Sequence, residues 1–191
     1  MFTLLARLWL KIWRFTAVPA PEPIPARCVM IAAPHTTNWD FPIMLALTKV
    51  LGVRVSWLGK RSLFKGPMGP VMRWLGGVSI DRSAPGGMVS ALAAELTGSK
   101  RMMLMVPAEG TRSKTEYWKS GFYRIAAEAQ VPIVLAFVDS NTRTGGFGPS
   151  VMPSGDVAAD MAKIRAFYEG MEGLTKGNFG PVRLKEEDAA A

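Results

Sequence analysis

The sequence contains few of the residues that stabilise small secreted domains or bind structural metals. It has one cysteine, Cys28, and one histidine, His35, among 191 residues. A single cysteine excludes an intramolecular disulfide and is typical of a reducing compartment. One cysteine and one histidine also cannot supply the ligand cluster of a zinc site. The sequence therefore predicts neither a disulfide framework nor a metal site.

Long apolar runs are missing as well, although hydrophobic residues make up 49% of the chain. No uncharged run approaches the roughly 18–20 residues with which a helix crosses a bilayer. Cations interrupt the apolar stretch at residues 1–16, where a signal peptide needs an unbroken apolar core. We therefore expect neither a transmembrane span nor a signal peptide. The composition is that of a globular protein, and the length suits one domain.

Acidic residues are scarce in the first part of the chain. Residues 1–80 contain ten Lys/Arg and two Asp/Glu, a net charge of +8, whereas residues 81–191 contain thirteen of each. Such an excess either keeps one face soluble or binds an anionic surface, which is nucleic acid or anionic lipid headgroups. We expect no nucleic acid partner, because no recognition motif is present and aromatic residues concentrate in an apolar helix.

That helix is predicted at residues 1–16 (MFTLLARLWLKIWRFT). Three cations share one narrow stripe of its helical wheel: Arg7, Lys11 and Arg14. Most of the remaining surface is apolar, and Trp9 and Trp13 suit the depth of lipid headgroups. We interpret the helix as lying in the plane of an anionic membrane surface, the alternative being a terminal helix packed on its own domain. Residues 17–26 then form a proline-rich, extended connector.

The rest of the chain alternates between strand and helix patterns. Strands are predicted at 27–33, 53–58, 78–80, 102–106 and 132–139, and helices at 40–51, 66–75, 87–98, 119–130 and 158–171. Residues 144–155 read as a Gly/Pro/Ser loop. The alternation predicts a single α/β domain at 27–175, with a mostly parallel or mixed sheet flanked by helices. We expect residues 176–191 to form a polar, loosely held tail.

The first polar cluster, at residues 34–40 (PHTTNWD), follows a predicted strand and enters a helix. His35 precedes Asp40 by five residues, so the turn can bring the carboxylate back to one imidazole nitrogen. The other nitrogen is then free to take a proton from a hydroxyl. This is the base and orienting group of a catalytic triad without its serine. The alternative is a surface histidine beside a helix cap formed by one of the three residues that follow it.

The second polar cluster, at residues 107–114 (PAEGTRSK), also follows a predicted strand. Gly110 permits a tight turn with free backbone N–H groups. Hydroxyls and cations then alternate along the chain: Thr111, Arg112, Ser113 and Lys114. This combination suits a phosphate group. Arg82, at the end of another strand, either reaches the same phosphate or pairs with Asp81 on the surface.

Taken in order, these clusters resemble the glycerolipid acyltransferase family, typified by 1-acylglycerol-3-phosphate acyltransferases. The resemblance covers roughly residues 27–140 in four blocks: His35 with Asp40, residues 59–82, residues 107–112 and residues 131–134 (VPIV). Three positions depart from the family pattern: Pro34 where asparagine is frequent, the additional Ala108, and Ala136 in place of a proline. We expect the departures to bear on the acceptor and not on the class of chemistry.

The resemblance implies that His35 is the general base and Asp40 its orienting group. It implies that five residues hold the phosphate of the acceptor: Arg82, Glu109, Gly110, Thr111 and Arg112. The donor would be acyl-CoA or acyl carrier protein, the acceptor a lysophospholipid such as lysophosphatidic acid, and neither a metal nor a bound cofactor would take part.

The same resemblance implies a role in phospholipid biosynthesis. The protein would be peripheral or monotopic on the cytoplasmic face of a membrane, bound through residues 1–16. The alternatives are an acyltransferase for another hydroxyl or amine acceptor, and a non-enzymatic module that binds anionic lipid or nucleic acid.

Overall fold

One mixed sheet of seven strands runs through the structure, a computed structural model that describes residues 2–59, 61–79 and 87–189. The strands are β1 (Thr16–Val18), β2 (Arg27–Ala33), β3 (Ser56–Gly59), β4 (Gly77–Ser79), β5 (Met102–Val106), β6 (Ile133–Asp139) and β7 (Thr144–Val151). Their order across the sheet is β1-β7-β6-β2-β5-β3-β4. The β6–β7 pair is antiparallel, and the other neighbours are parallel.

Helices cover both faces of this sheet. Those of the described residues are α1 (Phe2–Ile12), α2 (Asp40–Val50), α3 (Met68–Trp74), α4 (Gly87–Gly98), α5 (Gly121–Ala129) and α6 (Val157–Tyr168). Helices α4, α5 and α6 pack their side chains against one face of the sheet. Val29 and Ile31 of β2 point to this face. Cys28 and Met30 point to the opposite face, on the side of α2. Strand β2 is apolar on both sides because it is central and covered twice.

The predicted α/β class is therefore confirmed, with its mixed sheet and its N-terminal helix, but two segments differ from expectation. The predicted loop at 144–155 contains β7, and the predicted connector at 17–26 begins within β1. Glycine is generally unfavourable in strands. Here two glycines of β7 are needed because neighbouring elements approach the strand closely. A Cβ on Gly145 would lie 2.5 Å from Leu47 of α2, and one on Gly146 would lie 1.9 Å from the carbonyl oxygen of Val18.

Helix α1 packs on the domain along one side, which is the alternative considered from sequence, and leaves its other side exposed. It is shorter than predicted, because the helix ends at Ile12, and its Leu10 is buried with Ile43 and Leu47 of α2. Its outer face leaves five apolar side chains more than half exposed: Phe2, Leu4, Leu5, Leu8 and Ile12. In the described part of the chain no helix is both long enough and apolar enough to span a membrane.

The C-terminal segment is packed, and the prediction of a loosely held tail is wrong for it. Leu184 is 0% exposed and Val182 is buried in the same core. Leu184 also forms an isolated β-bridge with Trp118, and a 3₁₀ helix follows at Lys185–Ala189. Apolar residues spaced through a polar stretch hold this segment to the domain.

We predict that Leu184→Ala lowers the free energy of unfolding by about 2–5 kcal/mol, since it leaves a cavity in the core. Urea denaturation of the variant and the wild type measures the change. Lys185→Ala, at an exposed neighbouring position, is the matched control and should stay within about 0.5 kcal/mol of the wild type. Equal stability of Leu184→Ala and wild type would mean that the tail is not part of the core.

Candidate active site

The two polar clusters meet because β2 and β5 are parallel neighbours. Ile31 near the end of β2 pairs with Val106 at the end of β5, so the loops that follow both strands leave the same edge of the sheet. This edge, beyond the carboxyl ends of parallel strands, is the usual place for a binding site in such sheets. We call the segment 34–39 the histidine loop and the segment 107–114 the arginine loop.

Asp40 faces His35, and the His35 ring is one of four donors that contact its carboxylate. Its Oδ2 lies 3.1 Å from His35 Nδ1 and accepts the backbone N–H groups of Thr36 at 2.7 Å and Thr37 at 2.8 Å. The hydroxyl of Thr37 donates to Oδ1 at 3.1 Å. Asp40 is also the first residue of α2, where a negative charge interacts favourably with the helix dipole. The carboxylate therefore has one fixed orientation.

His35 is half-buried and borders a cavity. The contact with Asp40 assigns a proton to Nδ1, so that Nε2 is the nitrogen with a free lone pair in the neutral ring. Among residues 2–59, 61–79 and 87–189, no protein group hydrogen-bonds Nε2. The structure thus brings together the two residues predicted to act as base and orienting group.

Glu109 lies beneath His35, and not on the acceptor side as the family resemblance implied. Its side chain is 2% exposed, and its two oxygens accept the backbone N–H of His35 at 2.8 and 3.1 Å. Burial raises the pKa of Glu109 to about 8, against the lowering effect of that N–H, and the nearby Asp40 raises it further. A carboxyl group in this position fixes the histidine loop and does not face the cavity.

The remaining predicted phosphate ligands are placed differently from one another. Gly110 has φ 67° and its N–H donates to the carbonyl of Pro107 at 3.2 Å, so this N–H is not free for a phosphate. Thr111 is exposed, and its hydroxyl accepts the N–H of Ser113 at 3.3 Å. Arg112 borders the cavity and donates to the side-chain oxygen of Asn38 in the histidine loop. Arg82 lies outside the described residues.

Residues 172–180, here called the C-terminal strap, support both loops. The N–H of Thr175 donates to the Thr36 hydroxyl at 3.1 Å, and Asn178 donates to the carbonyl of Arg112 at 3.2 Å. A Cβ on Gly173 would lie 2.3 Å from Thr36. Sequence reasoning missed this support, because no recognisable motif marks the segment.

A cavity of about 470 Å³ opens beside His35, between α2 and the sheet. Apolar side chains from several elements dominate its lining, among them Phe41, Met44, Leu47, Trp57, Met72 and Phe147. Its polar wall at the sheet edge is formed by His35, Asp40 and Arg112. Leu47 is seven residues along α2 from Asp40, or about 10 Å. The site therefore combines an imidazole, a guanidinium and an apolar compartment.

Comparison with known proteins identifies the family and a similar fold. The model of the acyltransferase family matches residues 16–137. The crystal structure of the 1-acyl-sn-glycerophosphate (LPA) acyltransferase PlsC from Thermotoga maritima is similar in fold, with a TM-score of 0.55 and 19% sequence identity, over 84% of this chain and 72% of that chain. Among curated proteins no sequence matches. The family match spans more than half of the chain and includes both polar loops, so the chain belongs to the acyltransferase family.

Proposed function

We propose that the protein transfers a fatty acyl group from a thioester to the hydroxyl of a lysophospholipid, in the manner of a lysophosphatidic acid acyltransferase. The observation that carries the proposal is the placement of His35. Its Nδ1 is held by Asp40 at 3.1 Å, while its ring borders an apolar cavity of about 470 Å³. A base at the mouth of an apolar compartment suits a reaction between a hydroxyl and a fatty acyl thioester.

The proposed reaction is a direct transfer. Nε2 of His35 takes the proton of the acceptor hydroxyl as that oxygen attacks the thioester carbonyl. Collapse of the tetrahedral intermediate breaks the carbon–sulfur bond, and the imidazolium returns its proton to the departing thiolate, which yields an ester and a free thiol. Asp40 stabilises the imidazolium and keeps Nε2 directed at the acceptor. General-base assistance of this kind contributes typically ~10²–10⁴-fold in rate.

The cavity is proposed to hold the acyl chain. Its volume of about 470 Å³ lies within the range of typical ligand pockets. Burying methylene groups there stabilises the complex by about 0.8 kcal/mol for each group. With the chain in the cavity, the thioester carbonyl comes to the polar wall that His35 and Arg112 form. The donor, acyl-CoA or acyl carrier protein, is acidic in either case and suits the basic first part of the chain.

Arg112 is proposed to hold the acceptor phosphate. Its exposed guanidinium lies at the cavity and beside Asn38, three residues from His35. Guanidinium binds phosphate through paired hydrogen bonds. An acceptor whose phosphate binds Arg112 would bring a nearby hydroxyl to His35. The similarity to an acyltransferase that acts on 1-acyl-sn-glycerophosphate supports this choice over an acceptor without phosphate.

Glu109 is proposed to position His35 without contacting substrate. The carboxyl group holds the histidine from its backbone side, and Asp40 holds the ring from the other. The two acidic side chains thus fix a residue that must keep its place while it exchanges a proton.

The outer face of α1 is proposed to bind an anionic membrane, together with α3. Phe2 and Trp74 have ring centroids 5.4 Å apart, so the two helices form one surface. Trp74 is 66% exposed, and Met68 and Val71 of α3 are exposed beside it. Exposed cations accompany these apolar groups: Arg7, Lys11, Arg14, Lys65 and Arg73. We call the exposed apolar side chains of α1 and α3, together with these cations, the apolar surface. Its chemistry suits the headgroup region of anionic lipid.

The apolar surface also adjoins the cavity. Leu63, which is 44% exposed, and Met72 of α3 both line the cavity. Trp39, next to Asp40, packs against Trp13 with ring centroids 5.4 Å apart. A lipid would then reach His35 from the membrane without crossing water, which supports a peripheral or monotopic protein on the face where acyl thioesters are available, the cytoplasmic one.

For the base, we predict that His35→Ala lowers thioester consumption by ~10²-fold or more. The assay uses palmitoyl-CoA, or palmitoyl carrier protein in a parallel series, with lysophosphatidic acid in anionic liposomes. Circular dichroism checks that the variant folds. Competition by glycerol 3-phosphate or inorganic phosphate distinguishes a phosphate-bearing acceptor from another hydroxyl or amine. Wild-type activity in the folded variant would remove His35 from the mechanism.

For Glu109, we predict that Glu109→Gln retains activity within about tenfold of wild type, while Glu109→Ala loses at least a further tenfold. The amide oxygen of glutamine can still accept the His35 N–H, whereas alanine leaves it unpaired, a loss of about 1–3 kcal/mol. Values of kcat measured at saturating substrate decide between the variants. Equal activity of the two variants would contradict the positioning role.

The pH dependence of the free energy of unfolding provides a control for the Glu109 variants. The folded-state pKa of Glu109 is about 8, above its ordinary value of 4.5, so the folded protein binds this proton more tightly than the unfolded chain. Its contribution to stability is complete below pH 4.5 and is lost as the pH rises through 8, with a slope of at most about 1.4 kcal/mol per pH unit. Glu109→Gln should remove this decline.

For the membrane surface, we predict that Trp74→Glu lowers binding to liposomes of phosphatidylglycerol and phosphatidylcholine by at least tenfold, since it puts a charge into the apolar contact. Co-sedimentation measures the bound fraction. Met152→Glu is the matched control, because Met152 is 53% exposed outside the apolar surface. Equal losses in both variants, or none in either, would contradict the proposed surface.

A further inference from the structure

Asn38 lies in the histidine loop, but its side chain does not hold that loop together. The loop is closed by Asp40, which accepts the N–H groups of Thr36 and Thr37. The Thr37 hydroxyl accepts the N–H of Trp39 at 3.0 Å. Helix α2 begins without a hydrogen bond from a capping side chain, so Asn38 is not a helix cap. The exposed side chain of Asn38 is therefore not needed for the conformation of the loop.

The Asn38 side chain contacts the arginine loop instead. Nη1 of Arg112 donates to Oδ1 of Asn38 across 74 residues of sequence, and both side chains line the cavity beside His35. The main chain of Arg112 is held as well, because Nδ2 of Asn178 in the C-terminal strap donates to its carbonyl at 3.2 Å. One asparagine thus fixes the guanidinium of Arg112, and a second fixes its backbone.

The contact with Asn38 leaves the guanidinium able to bind an anion. A guanidinium carries its N–H donors in a rigid fork, and Asn38 occupies Nη1 alone. The amide oxygen is neutral, so it orients the group without compensating its charge. None of the ion pairs formed within residues 2–59, 61–79 and 87–189 includes Arg112. A carboxylate at position 38 would instead occupy the fork with a bidentate ion pair.

We propose that Asn38 is a positioning residue that directs the Arg112 guanidinium at the acceptor phosphate, and so determines how strongly the protein selects an acceptor with a phosphate. The proposal rests on the proposed function, since it assumes that Arg112 binds this phosphate. Asn38 is three residues from His35, so one short segment carries both the base and the support of the cation. This segment fixes the spacing between the phosphate site and Nε2 of His35.

Steady-state kinetics with lysophosphatidic acid and palmitoyl-CoA test the proposal. Asn38→Ala should raise the KM for lysophosphatidic acid about fivefold, the effect of one lost hydrogen bond, and should leave kcat and the KM for palmitoyl-CoA within about twofold of wild type. Asn38→Asp should raise the same KM about 20-fold or more, because its carboxylate pairs with Arg112. An unchanged or lowered KM for lysophosphatidic acid in folded Asn38→Ala would overturn the proposal.

Acceptor selection gives a second readout. The ratio of kcat/KM for lysophosphatidic acid to that for 1-oleoylglycerol, which has no phosphate, should fall in Asn38→Ala by the factor that its KM rises. Asn141→Ala is the matched control, because Asn141 is also exposed and donates to the carbonyl of Gly170 at 3.1 Å, outside both loops. Its ratio should equal that of wild type. Equal falls in both variants would overturn the proposal.

A double-mutant cycle separates positioning from direct contact with the acceptor. If Asn38 acts through Arg112, adding Asn38→Ala to Arg112→Ala should not raise the KM for lysophosphatidic acid further. Effects of the two substitutions that add in full would mean that Asn38 acts independently of Arg112, and would overturn the proposal.

Calorimetry with glycerol 3-phosphate tests the same residue without turnover. The wild type should bind this compound, and Asn38→Ala should bind it about fivefold more weakly. Weaker binding in the variant, together with a wild type that consumes no thioester with any acceptor, would overturn the proposed function and still support the role of Asn38. Equal binding by the two proteins together with normal turnover would overturn the role of Asn38 alone. A wild type that does not bind glycerol 3-phosphate would overturn the phosphate site and this proposal with it.

Discussion

The parallel pairing of β2 with β5 is the contact on which the site depends. It places the ends of two strands side by side, and each end carries one half of the site. The histidine loop follows β2, and the arginine loop follows β5. Glu109 then joins the halves, because its buried carboxyl accepts the backbone N–H of His35 from the neighbouring loop. Burial raises the pKa of this acid to about 8, so its contribution to stability is lost as the pH rises through that value.

Two apolar regions adjoin this polar edge of the sheet. One is the cavity beside His35, between α2 and the sheet, which suits a fatty acyl chain. The other is the apolar surface of α1 and α3, which faces outward with its accompanying cations. Leu63 and Met72 connect them at the cavity mouth. Both substrates of the proposed reaction are amphipathic, and the molecule offers an apolar compartment for their chains beside charged groups for their heads.

The sequence predicts the parts of this arrangement that depend on local pattern. Strand β2 is a short run of apolar residues, and the spacing of His35 and Asp40 is a local turn, so both are found as expected. Strand β7 was missed because its glycines serve contacts with α2 and β1, which are distant in sequence. Glu109 was placed on the acceptor side because a motif gives residue order but not the direction of a side chain. The cavity and the C-terminal strap combine distant segments and have no local signature.

In the proposed mechanism, Asp40 fixes the proton of His35 on Nδ1 and leaves Nε2 as the base. His35 is the single histidine of the sequence, so nitrogen-15 NMR of the labelled protein gives one pair of imidazole signals without ambiguity. At a pH where the ring is neutral, the account predicts a protonated Nδ1 and an unprotonated Nε2, and a shift towards the other tautomer in Asp40→Asn. A neutral ring that carries its proton on Nε2 in the wild type would contradict the account.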